Sequence, residues 1–290
     1  MEKEGGGVER RAVGAELVGL ELPPAEFAWD ERDAILYALG VGASPIDELD
    51  YLYERRGPKV LPTFALIPNW WAVKDLGPAI DNQGRPMVHA SQVLDLHRDL
   101  PPSGRITARA EISAVWDKGS NTLIEVTGRA EDADGPLFET RSGTMILGLG
   151  GWGGERGPSA GADATPERPP DAVVSHAIRA DQGAIYRLSG DLNPLHIDPD
   201  AARAAGFDDV FLHGLCTLGF AGRALLRVAG PESRIAHLET RFARPLFLDR
   251  TLETRVWRLD EHEFCFIAVD GDTTILANGR AQFREPVAPA

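Results

Sequence analysis

The spacing of apolar residues shows the same order of elements twice along the chain. Asp33-Ala34-Ile35-Leu36-Tyr37-Ala38-Leu39-Gly40 has a helical spacing and stops at glycine, and Ala184-Ile185-Tyr186-Arg187-Leu188-Ser189-Gly190 does the same. Tyr37 and Tyr186 lie 149 residues apart, about half the chain. A second apolar segment follows each, Leu61 to Ala72 and then Val210 to Leu226, the latter predicted as helix from near His213-Gly214. Strand-like runs come next, over 105–116, 122–130 and 137–147, then over 236–242, 251–259, 263–269 and 274–283. These are β-branched and aromatic, often alternating, and turn signals such as Asp117-Lys118-Gly119 and Asp270-Gly271-Asp272 separate them. Helices followed by strands predict an α+β fold with antiparallel sheet, present as two copies, each a long helix cradled by its sheet.

Between the copies, Gly148 to Pro170 is rich in Gly, Pro, Ala and Ser and reads as a linker. The expected organisation is an N-terminal domain over 1–150, a linker over 151–170 and a C-terminal domain over 171–290. Gly148-Leu149-Gly150-Gly151-Trp152-Gly153 carries a GxGxxG spacing, but the proline-rich tract after it is not the helix that a dinucleotide loop needs. With 30 Lys and Arg against 44 Asp and Glu, the net charge of −14 argues against a nucleic-acid partner. The two cysteines, Cys216 and Cys265, form no CxxC pair, which removes a zinc knuckle or a thioredoxin-like site. No stretch approaches the roughly 20 apolar residues of a membrane span. Met1 to Glu9 is polar and glycine-rich, so no membrane association and a cytoplasmic location are expected.

The densest polar cluster is Ser189-Gly190-Asp191-Leu192-Asn193-Pro194-Leu195-His196-Ile197-Asp198. A carboxylate and an imidazole make an acid/base pair at neutral pH, and an amide beside them can orient a water. The alternative is a plain turn, because Asp and Asn bond their own backbone and Asn-Pro starts turns. The first copy favours chemistry: at the same offset Asp191 faces Gly42 and His196 faces Asp47, so the helix repeats and the polar triplet does not. Further on, Gly214 opens a predicted helix, where uncovered N–H groups and the helix dipole can stabilise an oxyanion; taken alone, Gly214 reads more readily as a plain helix start. Trp70-Trp71 reads as core or pocket wall, and His97, His176, His237 and His262 as ordinary polar positions without clustered partners.

Tyr186 to His196 resembles the signature of the 2-enoyl-CoA hydratase 2 family within the MaoC-like dehydratases, and the likeness extends to Phe207 and Leu212-His213-Gly214-Leu215-Cys216-Thr217. In the first half it covers 37–43, Leu61-Pro62-Thr63-Phe64, Asp117-Lys118-Gly119 and Gly151-Trp152-Gly153-Gly154 with Arg156. The resemblance implies a double hot-dog fold and hydration of trans-2-enoyl-CoA to (3R)-3-hydroxyacyl-CoA, as in fatty acid β-oxidation. It places the catalytic residues on Asp191, Asn193, His196 and Gly214, and substrate contacts on His89, Lys118 and Phe242, with Ala90 in the same strip. It implies an acyl-CoA substrate, a homodimer, no metal and no cofactor beyond the CoA of the substrate. One departure is His89-Ala90-Ser91-Gln92 where the family commonly has His-Gly-Glu-Gln, which touches acyl-chain preference. The alternatives are an acyl-thioester hydrolase, a 3-hydroxyacyl-carrier-protein dehydratase and a non-catalytic acyl-CoA-binding protein.

Overall fold

The computed structural model describes residues 10–159 and 165–284. Its strands are β1 (Arg11–Ala12), β2 (Glu21–Trp29), β3 (Ile80–Asp81), β4 (Met87–Leu96), β5 (Gly104–Asp117), β6 (Thr122–Asp132), β7 (Gly135–Ile146), β8 (Ala172–Ala177), β9 (Arg234–Phe242), β10 (Thr251–Arg258), β11 (Glu263–Asp270) and β12 (Thr273–Arg284). The helices are α1 (Glu31–Gly40), α2 (Leu66–Val73), α3 (Leu76–Ala79), α4 (Gln182–Tyr186), α5 (Pro199–Ala204) and α6 (Gly214–Ala229). The strands of both halves join in one ten-stranded sheet, ordered β2-β5-β6-β7-β4-β9-β12-β11-β10-β8, while β1 and β3 pair apart from it. The order is symmetric about the central pair: β4 and β9 run antiparallel, with Ser91 opposite Arg241 and Asp95 opposite His237. This is a double hot-dog fold, two copies of one α+β unit sharing a sheet.

Local signals explain most of the elements. Asp30 caps α1 by accepting from the Arg32 and Asp33 amides, and Asp33 returns a bond to the Asp30 amide. The predicted strands all form, within about two residues of their expected ends. Beyond the two-residue β1 and β3, three further strands, those of the large sheet, β2, β4 and β8, were hidden by their composition. β2 carries Pro23-Pro24 and slips register between Leu22 and Ala25 on the edge of the sheet. β8 is the opposite edge, only half-buried on alternate residues. β4 buries Gln92 among its inward positions, so its apolar alternation is broken in the sequence. The Gln92 amide is held there by the Val93 carbonyl at 2.8 Å and the Ser142 hydroxyl at 2.8 Å.

The two copies are unequal. α6 has 16 residues and buries every position from Leu215 to Leu225, whereas α2 has only 8 residues, so the expected long helix exists in the second half alone. α6 also leans on the first half: a Cβ at Gly219 would lie 2.4 Å from Val41, and one at Gly222 3.0 Å from Thr63. Buried apolar residues of both halves form one continuous core. Trp70 on α2 is partly exposed, and the Trp71 side chain lies outside the described residues.

The stretch after β7 is docked and does not behave as a free linker. The Asp117 carboxylate accepts from the amides of Gly119 (2.9 Å), Gly151 (2.8 Å) and Gly153 (2.8 Å). These bonds hold its pKa below the usual carboxylate range. Trp152 donates to the Thr122 hydroxyl at 2.9 Å. Glycine in this stretch therefore serves close approach to a buried carboxylate, and 160–164 lie outside the described residues.

Candidate active site

The chain leaves α4 through a 3-10 turn, Arg187–Ser189, and reverses at Gly190, whose φ of 132° only glycine adopts easily. The next residues bond their own backbone, as turn chemistry requires. An Asp191 carboxylate oxygen accepts from the Asn193 amide at 3.2 Å, and the Asn193 side-chain oxygen accepts from the Leu195 amide at 3.1 Å, capping the 3-10 turn Pro194–His196. The turn reading and the functional reading therefore coexist in the same atoms, since a carboxylate retains other lone pairs. Asp191 and His196 are 7% and 8% exposed. Asn193 stays partly exposed and its carbonyl oxygen is committed to the cap.

His196 Nδ1 lies 2.9 Å from the Phe211 carbonyl. A carbonyl only accepts, so Nδ1 carries the hydrogen and Nε2 presents its lone pair. Burial pushes the His196 pKa down to about 4, against the opposing Phe211 bond, so the imidazole is neutral at physiological pH. Burial pushes Asp191 the other way, raising its pKa, while the Asn193 amide and the Arg187 charge oppose that rise. The environment thus favours a neutral base beside a carboxyl more willing than usual to hold a proton.

His213 joins the pair, although its sequence context gave it no role beyond preceding Gly214. It is 1% exposed, and its ring centroid lies 3.9 Å from that of His196. Its Nε2 is 3.1 Å from the Asp191 main-chain carbonyl. Ligand-type atoms of Asp191, His196 and His213 all fall within 4.8 Å of one another. Those are donor types that a divalent cation could use, but proton transfer by these groups needs none. The sequence marked His213 by its place directly before the glycine of a helix start and within the second stretch of family likeness, but gave it no role.

Gly214 is the first residue of α6, and no side chain caps that end. Its N–H lies among the first amides of the helix, which have no partner within it, and the helix dipole adds to their pull on negative charge. The Phe242 ring presses on this point: a Cβ at Gly214 would sit 3.1 Å from it. His89, on β4 of the first half, packs on the other part of Phe242 with ring centroids 4.6 Å apart. Its Nε2 is enclosed without a hydrogen-bond partner, and burial lowers its pKa to about 4. Ala90 follows at a register shift of β4 against β7. Contacts thus run in line from His89 on β4 through Phe242 on β9 to Gly214, and His213 beside it lies against His196 and Asp191. Lys118 is separate from that line: its ammonium donates to the carbonyls of Arg156 (2.6 Å) and Pro158 (2.8 Å).

Among the other histidines, the expectation of no partners fails at His237, whose Nδ1 lies 2.7 Å from Asp95 across the central strands and whose Nε2 lies 3.8 Å from Glu239. These contacts raise its pKa, the Glu239 bond most, a structural role at the seam. No helix of the described residues is long and apolar enough to cross a membrane.

Comparison with known proteins places the whole chain in a family. Residues 162–279 match the MaoC like domain family, and residues 27–148 match the MFE-2 hydratase 2 N-terminal domain. A Mycobacterium tuberculosis protein named 3-hydroxyacyl-thioester dehydratase Y is 39% identical over 86% of this chain and 89% of its own length. An enoyl-CoA hydratase of the same organism, ChsH3, is 39% identical over 83% of this chain and 87% of its own. Among solved structures, a MaoC-like dehydratase from Phytophthora capsici superposes with a TM-score of 0.80 at 28% identity, over 94% of this chain and 98% of that one. With relatives of that identity along nearly its whole length, the chain belongs to the hydratase 2 group of the MaoC-like dehydratases and is a hydro-lyase.

Proposed function

We propose that the chain adds water to trans-2-enoyl-CoA to give (3R)-3-hydroxyacyl-CoA, and catalyses the reverse dehydration. The observation that carries this is the juxtaposition of a neutral His196, a buried Asp191 of raised pKa and an uncapped helix start at Gly214. Conjugate addition needs a base for water, an acid for C2 and a donor for the thioester oxygen. His196 Nε2 takes a proton from the water attacking C3, and Asp191 delivers one to C2. Asn193 has a side-chain NH2 left to orient the water. The Gly214 N–H meets the charge that develops on the thioester oxygen, a contribution of about 3–4 kcal/mol for one such donor. His89 and Phe242 wall the site from the first half and the second, and Lys118 with its neighbour Arg156 supplies positive charge for the CoA phosphates. The groups that act on C2 and C3 come from one loop, which favours syn addition, and likeness to the hydratase 2 relatives supports the 3R product.

The test is to hydrate trans-2-decenoyl-CoA, follow loss of the enoyl thioester absorbance, and offer the product separately to 3R- and 3S-specific hydroxyacyl-CoA dehydrogenases. Oxidation by the 3R-specific enzyme alone is expected. Oxidation by the 3S-specific enzyme alone overturns the stereochemical reading. Thiol release from a saturated acyl-CoA, with the enoyl chromophore untouched, overturns hydration in favour of thioester hydrolysis.

A further inference from the structure

The acid/base loop and the oxyanion helix start are distant in the chain, and two hydrogen bonds tie them together. His196, on the loop, donates from Nδ1 to the Phe211 carbonyl, on the segment that leads into α6. His213, on that segment, meets the Asp191 carbonyl on the loop with its Nε2. Each histidine therefore bonds the backbone of the other's segment, and their rings lie face to face, tilted by 33°. We propose that this reciprocal clasp sets the catalytic geometry, and that His213 is a positioning residue for the reaction. The inference rests on the roles given above to Asp191, His196 and Gly214.

Three observations separate this from ordinary helix capping or packing. His213 stands at the N-cap of α6 yet makes no side-chain bond to the helix's own amides, so its imidazole does not serve α6. The Asp191 carbonyl accepts, so Nε2 must carry the hydrogen; that leaves Nδ1 as a lone pair, buried and without a partner. An apolar side chain would fill the same volume without that unsatisfied atom, and the bond to Asp191 is the hydrogen bond that a histidine adds here. Finally, the clasp fixes opposite tautomers in the two rings. His196 is held with Nε2 free to act as base, and Asp191 is anchored by the residue next to Gly214. One side chain thereby sets the acid/base group and the oxyanion donor in a common frame, and misplacement by about 1 Å can cost around a hundredfold in rate.

Two measurements test the clasp. The first is steady-state hydration by three variants. His213→Gln places an amide nitrogen where Nε2 lies and can donate to the same carbonyl, so kcat should stay within about threefold of the unaltered enzyme. His213→Asn is too short to reach, and His213→Phe keeps a ring without a donor; both should lose about tenfold or more in kcat with KM within about twofold. Equal kcat in the Gln and Asn variants, an undiminished Phe variant, or a loss confined to KM would overturn the proposal. If the Phe variant does not fold, the contrast between Gln and Asn decides. The second measurement needs no turnover: nitrogen-15 spectra of histidine-labelled native enzyme should show His196 protonated at Nδ1 and His213 at Nε2. The same tautomer in both rings overturns the clasp. An unaltered enzyme that shows opposite tautomers but no hydration would instead remove the reaction assigned above.

Discussion

At the scale of single residues, burial tunes the chemistry. A solvated imidazole titrates near pH 6.5, but burial brings His196 down to about 4. As a base it must be neutral, so it remains competent above its folded pKa and is lost as pH falls through it. The acid limb of kcat/KM should therefore lie near pH 4, and activity should fall on the alkaline side as Asp191, needed protonated, loses its proton, both read where near-ultraviolet dichroism is unchanged. An acid limb near 6.5 would mean that the base is solvated or is another group. Asp191→Asn and His196→Gln should each lower kcat by about a hundredfold or more with the fold intact, the ordinary contribution of a positioned acid or base. Near-native turnover in either variant would remove that residue from the mechanism. The loop was legible in the sequence because three chemically active side chains stand within six residues of one another. His213 was not, because its meaning lies in a carbonyl 22 residues away, and only the folded chain brings the two together.

At the scale of elements, one copy keeps the catalytic loop and the other has closed the corresponding space. Gly42, opposite Asp191 in the repeat, has a φ of 81°, and a Cβ there would fall 2.3 Å from the Phe220 ring and 3.1 Å from Arg223. Side chains of α6 occupy this position. Arg223 is almost wholly buried, donates to the Val41 carbonyl at 2.7 Å and pairs with Glu48. The first-half loop is thus a socket for α6. Gly42→Asp should create no second site and should destabilise the protein, with αL strain of about 1–2 kcal/mol added to the overlap with Phe220. A Gly42→Asp variant with unchanged thermal midpoint would show that the socket is looser than its packing indicates. Helices and strands with regular apolar spacing were readable in advance; the central strand β4 was not, because it carries site and seam residues, His89, Gln92 and Asp95, in place of a clean alternation.

At the scale of the whole molecule, the repeat produces two interdependent halves. The seam is a pair of full strands, β4 against β9, so cutting there would expose the middle of a ten-stranded sheet as a raw edge. The same cut would strip α6 of Tyr37, Val41 and Thr63, and take the Val41 carbonyl and Glu48 from Arg223. It would also remove His89 from Phe242, on the first-half side of the line of site residues. The C-terminal half nevertheless holds Asp191, Asn193, His196, His213 and Gly214 complete. A polypeptide from about Pro170 onward therefore separates two ideas: that the site needs only its own loop, and that it needs the sheet and helix contacts holding that loop in place. The second predicts an aggregated or inactive fragment, with hydration restored when the first half is produced alongside it and the two co-purify. A fragment that is soluble, monomeric and as active as the whole chain would show that the first half contributes neither packing nor substrate contacts to catalysis.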